Sequence, residues 1–193
     1  RKRIGQPRDL DAVLMMLCAN ESHFINGAII TADAQEFNQI NQGLQLIATF
    51  TQPGDRFIQG PTDFRFTNYN EPAFYWLNPQ LIPATYYLEM NPGISNAKNS
   101  QMASDIASAD VLLLSNRFEK FSEPNTSTVP GDASANDVIA RNFCVIGQTN
   151  WYFLLRHTTR PVAPVEGVAA PRTVNVGPNS LFLCGHGGTT PRR

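Results

Sequence analysis

Apolar residues recur along this chain at two spacings, and the alternation between them predicts most of its elements. Near the start, Leu10, Val13, Leu14 and Leu17 fall three and four apart and make one helical stripe. Pro7 suits the first turn of that helix, and Asp9 and Asp11 suit the positive end of its dipole. Asn20–Ser22 stops it, and Phe24–Thr31 then reads as a buried strand interrupted by Gly27. Residues 35–52 return to helical spacing through Phe37, Ile40, Leu44 and Ile47. The turn Pro53-Gly54-Asp55 introduces a short strand over Arg56–Gln59, closed by Gly60-Pro61. Residues 61–83 are rich in Asn, Pro and aromatics, with a short helix expected at Pro72–Leu77. Ala84–Met90 reads as a strand, ended by Asn91-Pro92-Gly93. Ser100–Ala109 reads as an amphipathic helix, with Met102, Ile106 and Ala109 facing one way. The clearest buried strand is Asp110–Ser115, a Val-Leu-Leu-Leu run between polar ends. A polar loop over Phe118–Ser134 and a helix over Asn136–Asn142 follow. Phe143–Gly147 and Trp151–His157 read as two strands of a hairpin.

From Arg160 onward, Pro161, Pro164, Pro171 and Pro178 break the pattern, and only Ser180–Cys184 could be a strand. Three segments are therefore expected: residues 1–34, a domain over 35–159, and an irregular Pro/Gly-rich tail over 160–193. Strands alternating with helices across the middle segment imply an α/β fold with three layers. Its sheet should be small and mostly parallel, with helices on both faces and an antiparallel hairpin toward the C-terminus.

Composition adds exclusions more than identity. The net charge of -1 gives no global field to draw nucleic acid or anionic lipid. No apolar run approaches the roughly 20 residues needed to cross a bilayer, so no membrane span is expected in this chain. The chain opens on Arg1 instead of Met, which reads as part or product of a longer protein. Cys18, Cys144 and Cys184 make an odd count without CxxC spacing, which argues against a disulfide framework and against a zinc site. His23, His157 and His186 are isolated in sequence, so no metal is implied. Gly185-His186-Gly187-Gly188 has the composition of a phosphate loop, but no helix follows it.

Two stretches resemble known families. Arg3-Ile4-Gly5-Gln6-Pro7, Asp9-Leu10, Phe24-Ile25-Asn26-Gly27-Ala28-Ile29-Ile30 and Asp33 resemble the C-terminal end of short-chain dehydrogenases/reductases. In that family the stretch supplies a last helix and strand, often at a subunit interface. The Gly-rich phosphate turn that the family needs is absent, and none of the five tyrosines has Lys four residues later. Residues 1–33 therefore imply no reductase chemistry and no cofactor.

The second resemblance runs over residues 36–158. Its strings are Pro53-Gly54-Asp55-Arg56, Thr67-Asn68-Tyr69-Asn70-Glu71, and Pro83-Ala84-Thr85-Tyr86-Tyr87-Leu88-Glu89-Met90-Asn91-Pro92-Gly93. Ala109-Asp110-Val111-Leu112-Leu113-Leu114, Glu123-Pro124-Asn125 and Phe143-Cys144-Val145-Ile146-Gly147 continue it in order. Together they resemble the soluble C-terminal region of bacterial membrane glycosyltransferases of the mannosyltransferase type, which use lipid-linked sugar donors. The catalytic carboxylate of such enzymes sits near their first membrane helices, outside this region. The resemblance implies a partner domain of a transferase, on the extracytoplasmic face of a bacterial membrane.

The residues with the chemistry to hold a glycan or a lipid-linked sugar acceptor are Asn68, Asn70, Glu71, Glu89, Asn91, Glu123 and Asn125. Amides and carboxylates share hydrogen bonds with sugar hydroxyls, and nearby Tyr69, Phe74, Tyr75 and Trp76 offer aromatic faces. The same Asn and Glu residues could instead satisfy backbone groups in an irregular loop while the aromatics fill the core. Glu71 and Glu89 would make an acid/base pair only if the fold brought them together. Two functions are expected from different classes. One is a non-catalytic accessory or glycan-recognition domain; the other is an oligomerisation module, in which residues 1–33 pair between copies of the chain.

Overall fold

The computed structural model describes residues 34–67, 70–117, 127–158 and 172–184. It holds two compact units, Arg1–Gln42 and Gly43–Arg193. Of the first, only the opening turns of a helix are described, so the helix and strand expected over residues 1–33 lie outside the described residues. Helix α1 spans Ala34–Phe50. The second unit then carries strand β1 (Arg56–Pro61), helix α2 (Ala73–Leu77), strand β2 (Ile82–Pro83) and helix α3 (Met102–Ser108). Strand β3 (Val111–Ser115), helix α4 (Ser134–Asn142) and strands β4 (Phe143–Gln148) and β5 (Tyr152–His157) follow. Strands β6 (Thr173–Val176) and β7 (Asn179–Phe182) close the unit.

The fold is α/β, with a mixed five-stranded sheet in the order β2-β1-β3-β5-β4. Strands β2, β1 and β3 are parallel, and β3-β5 and β5-β4 are antiparallel. All five residues of β3 are buried, as its uninterrupted apolar run requires of a central strand covered on both faces. Side chains alternate across the sheet, so the register divides the core in two. Ile58, Leu112, Leu114, Val145 and Leu155 share one face and pack with Met102 and Ile106 of α3 and Ile139 of α4. Phe57, Gln59, Leu113, Leu154 and Tyr152 belong to the other face. There the ring of Phe57 meets Tyr75 edge-on at 5.4 Å, and Phe74 meets Tyr152 at 5.3 Å. The rings of Phe74 and Tyr152 close over Gly43, and the fully buried Ile47 lies one turn further along α1.

Three expectations need correction. The strand expected over Ala84–Met90 reduces to the two residues of β2, just before it. Pro83 offers no N–H to a ladder. The amides that follow are taken by side chains instead: Tyr86 N donates to Asp105, Tyr87 N to Thr85 Oγ1, and Met90 N to Asn70 Oδ1. The tail is the second correction, because residues 173–182 form an antiparallel hairpin where only Ser180–Cys184 was read as a possible strand. Its turn is Gly177-Pro178, with Gly177 at φ +56, a conformation that glycine adopts without a Cβ penalty.

The third correction concerns the cysteines. Cys144 and Cys184 form a disulfide, with Cα atoms 5.2 Å apart. The odd count misled because the two lie 40 residues apart and meet only where Leu183 forms a parallel bridge with Val145. Cys18 lies outside the described residues. Among the described residues no helix is long and apolar enough to cross a membrane.

Candidate functional site at the carboxyl edge of the sheet

In open α/β sheets, ligands sit beyond the carboxyl ends of the parallel strands, where connecting loops can converge. Here β1 and β3 end side by side, with Thr62 N donating to Ser115 O at 3.1 Å. The β4–β5 turn reaches the same edge, because Asn116 N donates to Trp151 O and its side-chain amide to Asn150 O. The segment after β2 climbs there too. Asn70 donates its side-chain amide to Leu88 O and accepts from Met90 N.

A buried polar cluster lies beneath this edge. Gln59 interrupts the apolar run of β1 and is fully buried. Its Oε1 accepts from Glu71 N at 2.6 Å, and its backbone N–H donates to Tyr75 Oη at 2.9 Å. Glu71 Oε1 accepts from Arg117 Nη1 at 3.0 Å and from Tyr152 Oη at 2.9 Å. Both charged side chains are withdrawn from water, at 6% exposure for Glu71 and 16% for Arg117. The guanidinium of Arg117 also stands 4.7 Å from the ring centroid of Trp151, which favours the cation electrostatically. Burial pushes the Tyr75 phenol far above its ordinary range, so it stays protonated as a hydrogen-bonding group. Gln59 Nε2 and Thr67 Oγ1 are buried with no hydrogen-bond partner among the described residues. Such atoms are where an ordered water or a ligand hydroxyl gains most.

An open groove of about 610 Å³ runs along the loops at 92–98 and 127–132. Asn96 organises its floor: Gly93 N donates to its Oδ1, and its Nδ2 donates to Arg65 O and Ser127 Oγ. Gly131 lies so close that a Cβ there would stand 2.3 Å from Asn96 O. Lys98 and Asp132 bring opposite charges to the rim, and the hydroxyl and amide of Ser134 hold the Asp132 carboxyl below its usual range.

The expected site residues separate into groups. Glu71 lies in the buried cluster. Asn70 is buried and spends its side chain on the backbone of residues 88 and 90. Glu89 and Asn91 are exposed. Asn68, Glu123 and Asn125 lie outside the described residues. The residues that sequence reading passed over are Gln59, Arg117, Tyr152 and Asn96. Their only signals were a polar residue inside an apolar strand, and a cation two residues beyond the most apolar one.

Asp63, just past β1, is the best-anchored carboxylate of the edge. Burial raises its pKa, but hydrogen bonds from the Arg65 side chain, the Asn136 amide and the Arg65 backbone, with the Arg65 charge, outweigh that and hold it below the ordinary range. A depressed folded-state pKa stabilises the fold above the unfolded value of about 4, and that contribution is lost as pH falls through the folded value. Asp63→Asn should therefore flatten the acid limb of stability below about pH 4, read as urea midpoints across pH. An unchanged acid limb would assign that limb to other groups.

Among the described residues no group of three or more His, Cys, Asp or Glu is placed to hold a metal ion. The chain matches no protein-family model, no curated protein and no solved structure.

Proposed function

We propose that this chain is a non-catalytic accessory domain that recognises glycan at the carboxyl edge of its sheet, in a protein of the membrane glycosyltransferase kind. The observation that carries this reading is the gathering of the loops after β1 and β3 and the β4–β5 turn on one edge. Exposed Glu89 and Asn91 lie on the segment that Asn70 ties to it. Tyr86, 88% exposed, adds an aromatic face of the kind that packs on a sugar ring. The ordered strings over residues 53–147 supply the family resemblance.

The state of Glu71 favours recognition over catalysis. A carboxylate held by a guanidinium and a phenol is fixed in direction and turned away from substrate, whereas a general acid/base must exchange protons with substrate. The Cys144–Cys184 disulfide agrees with an oxidising, extracytoplasmic setting.

The test is titration of the intact chain with mannose-containing and other cell-wall oligosaccharides, followed by calorimetry and amide chemical shifts. Binding should perturb amides of residues 86–98 and 127–132. Glu89→Ala should weaken it about tenfold, the usual worth of a hydrogen bond to a charged group. A folded chain that binds none of these glycans would sink the recognition reading and leave a structural role.

A further inference from the structure

We infer that the Cys144–Cys184 disulfide is a redox latch, which holds the β6–β7 hairpin over one face of the core and lets it lift when a dithiol reduces the bond. Beyond the disulfide, the described residues of the hairpin are held by apolar packing and by few hydrogen bonds to the rest of the domain. Among the described residues, its main-chain attachment to the sheet is the bridge of Leu183 with Val145, where Cys184 N donates to Val145 O at 2.9 Å. Among the described residues, Asn179 Nδ2 joins it to α4 by donating to Asn136 O at 3.3 Å. Two of its side chains, Val176 and Leu181, are buried in the core and Val174 packs against it, while Thr173 and Asn175 of β6 are exposed.

What the hairpin covers gives the latch a consequence. It packs on α4 and β4, and β4 is the last strand in the order of the sheet. Val176 and Leu181 belong to the same apolar cluster as Phe64, Ile139 and Val145. The turn sits against the exit of β1: a Cβ on Gly177 would stand 2.4 Å from Thr62 O. Lifting the hairpin would therefore expose an apolar surface, bare the outer edge of β4 and relax the loop that carries Asp63 and Arg65.

The chemistry is a two-electron exchange with a dithiol. Cys184 is half-buried and Cys144 is buried, so the reductant's thiolate attacks Cys184 Sγ. The bond between the two cysteines breaks, Cys144 leaves as a thiolate, and a mixed disulfide forms on Cys184. The second thiol of the reductant attacks its own sulfur in that mixed disulfide and releases Cys184. The reductant ends as a disulfide, and the two protons it gives up end on Cys144 and Cys184.

The test is amide hydrogen exchange of the intact chain with and without dithiothreitol, in a Cys18→Ser background that keeps the third thiol from exchanging. For a closed loop of this length, breaking the bond should weaken hairpin docking by roughly a hundred- to a thousandfold. Amides of Val176, Leu181 and Cys184 should lose protection by that factor while those of Leu112, Leu113 and Leu154 keep theirs, and reoxidation should restore the first group. The Cys144→Ser/Cys184→Ser double variant should show the open pattern without reductant. Hairpin protection that survives reduction overturns the latch. So does simultaneous loss across β3 and β5, which would make the bond a staple of the whole domain.

Discussion

Replacing Leu112 with alanine should cost the fold about 4 kcal/mol, near the upper end of the range for a fully buried leucine. Leu112 lies in the middle of β3, between Ile58 of β1 and Leu155 of β5, with no exposed surface. The loss combines the transfer free energy of the removed carbons with the cavity they leave, because the sheet backbone cannot collapse into the gap. Leu113→Ala is the informative companion. Its side chain belongs to the opposite face and is equally buried. Layers on both faces of the sheet require both substitutions to cost several kcal/mol, whereas a one-sided sheet would let Leu113→Ala pass for well under 1 kcal/mol. Urea midpoints decide it: each variant should fall by about 2 M for an ordinary dependence on denaturant.

The same strand shows why part of the fold was legible. Val111–Leu114 is apolar on consecutive positions, which only a strand covered on both faces tolerates, and the other long strands β1, β4 and β5 carry apolar runs of their own. Helices α1 and α3 showed their stripes for a similar local reason. What failed was decided at a distance. Ala84–Met90 has the aromatic content of a strand, but Asp105 and Asn70 bind its amides from 19 and 20 residues away. The β6–β7 hairpin follows a proline-rich stretch, and its turn depends on Gly177 nesting against Thr62. The disulfide depends on the docking of that hairpin, so counting cysteines could not find it.

The candidate site was legible by composition and hidden in its geometry. Glu71 and Asn70 stood out as neighbours in a polar, aromatic loop, yet one enters a buried ion pair and the other holds backbone. Their partners come from far along the chain: Arg117 is 46 residues and Tyr152 81 residues from Glu71. Long-range pairing leaves no local pattern, because each partner taken alone looks like an ordinary loop cation or strand tyrosine.

That pairing sets the second large effect, in which Arg117→Ala should destabilise the domain by about 3–4 kcal/mol. The Coulombic gain of a buried pair only offsets the desolvation of its two ions, so the pair contributes little net stability over an apolar substitute. Removing one partner is different, because the other charge stays in a low-dielectric site without its counterion. Arg117→Ala also removes the cation from Trp151, worth about 1 kcal/mol when partly desolvated. Glu71→Gln should cost less, about 1–2 kcal/mol, because an amide oxygen can still accept from both Arg117 and Tyr152 and the stranded guanidinium is the more exposed partner. The double variant Arg117→Met/Glu71→Leu should recover most of the loss, since neither charge is then buried. A double-mutant cycle by urea denaturation should give a coupling of about 2 kcal/mol or more between the two positions. An exposed pair would couple by about 0.2–1 kcal/mol and would fade in high salt. Coupling that small would place Glu71 and Arg117 in water, and with it would go the argument that Glu71 is too firmly held to act as an acid or base.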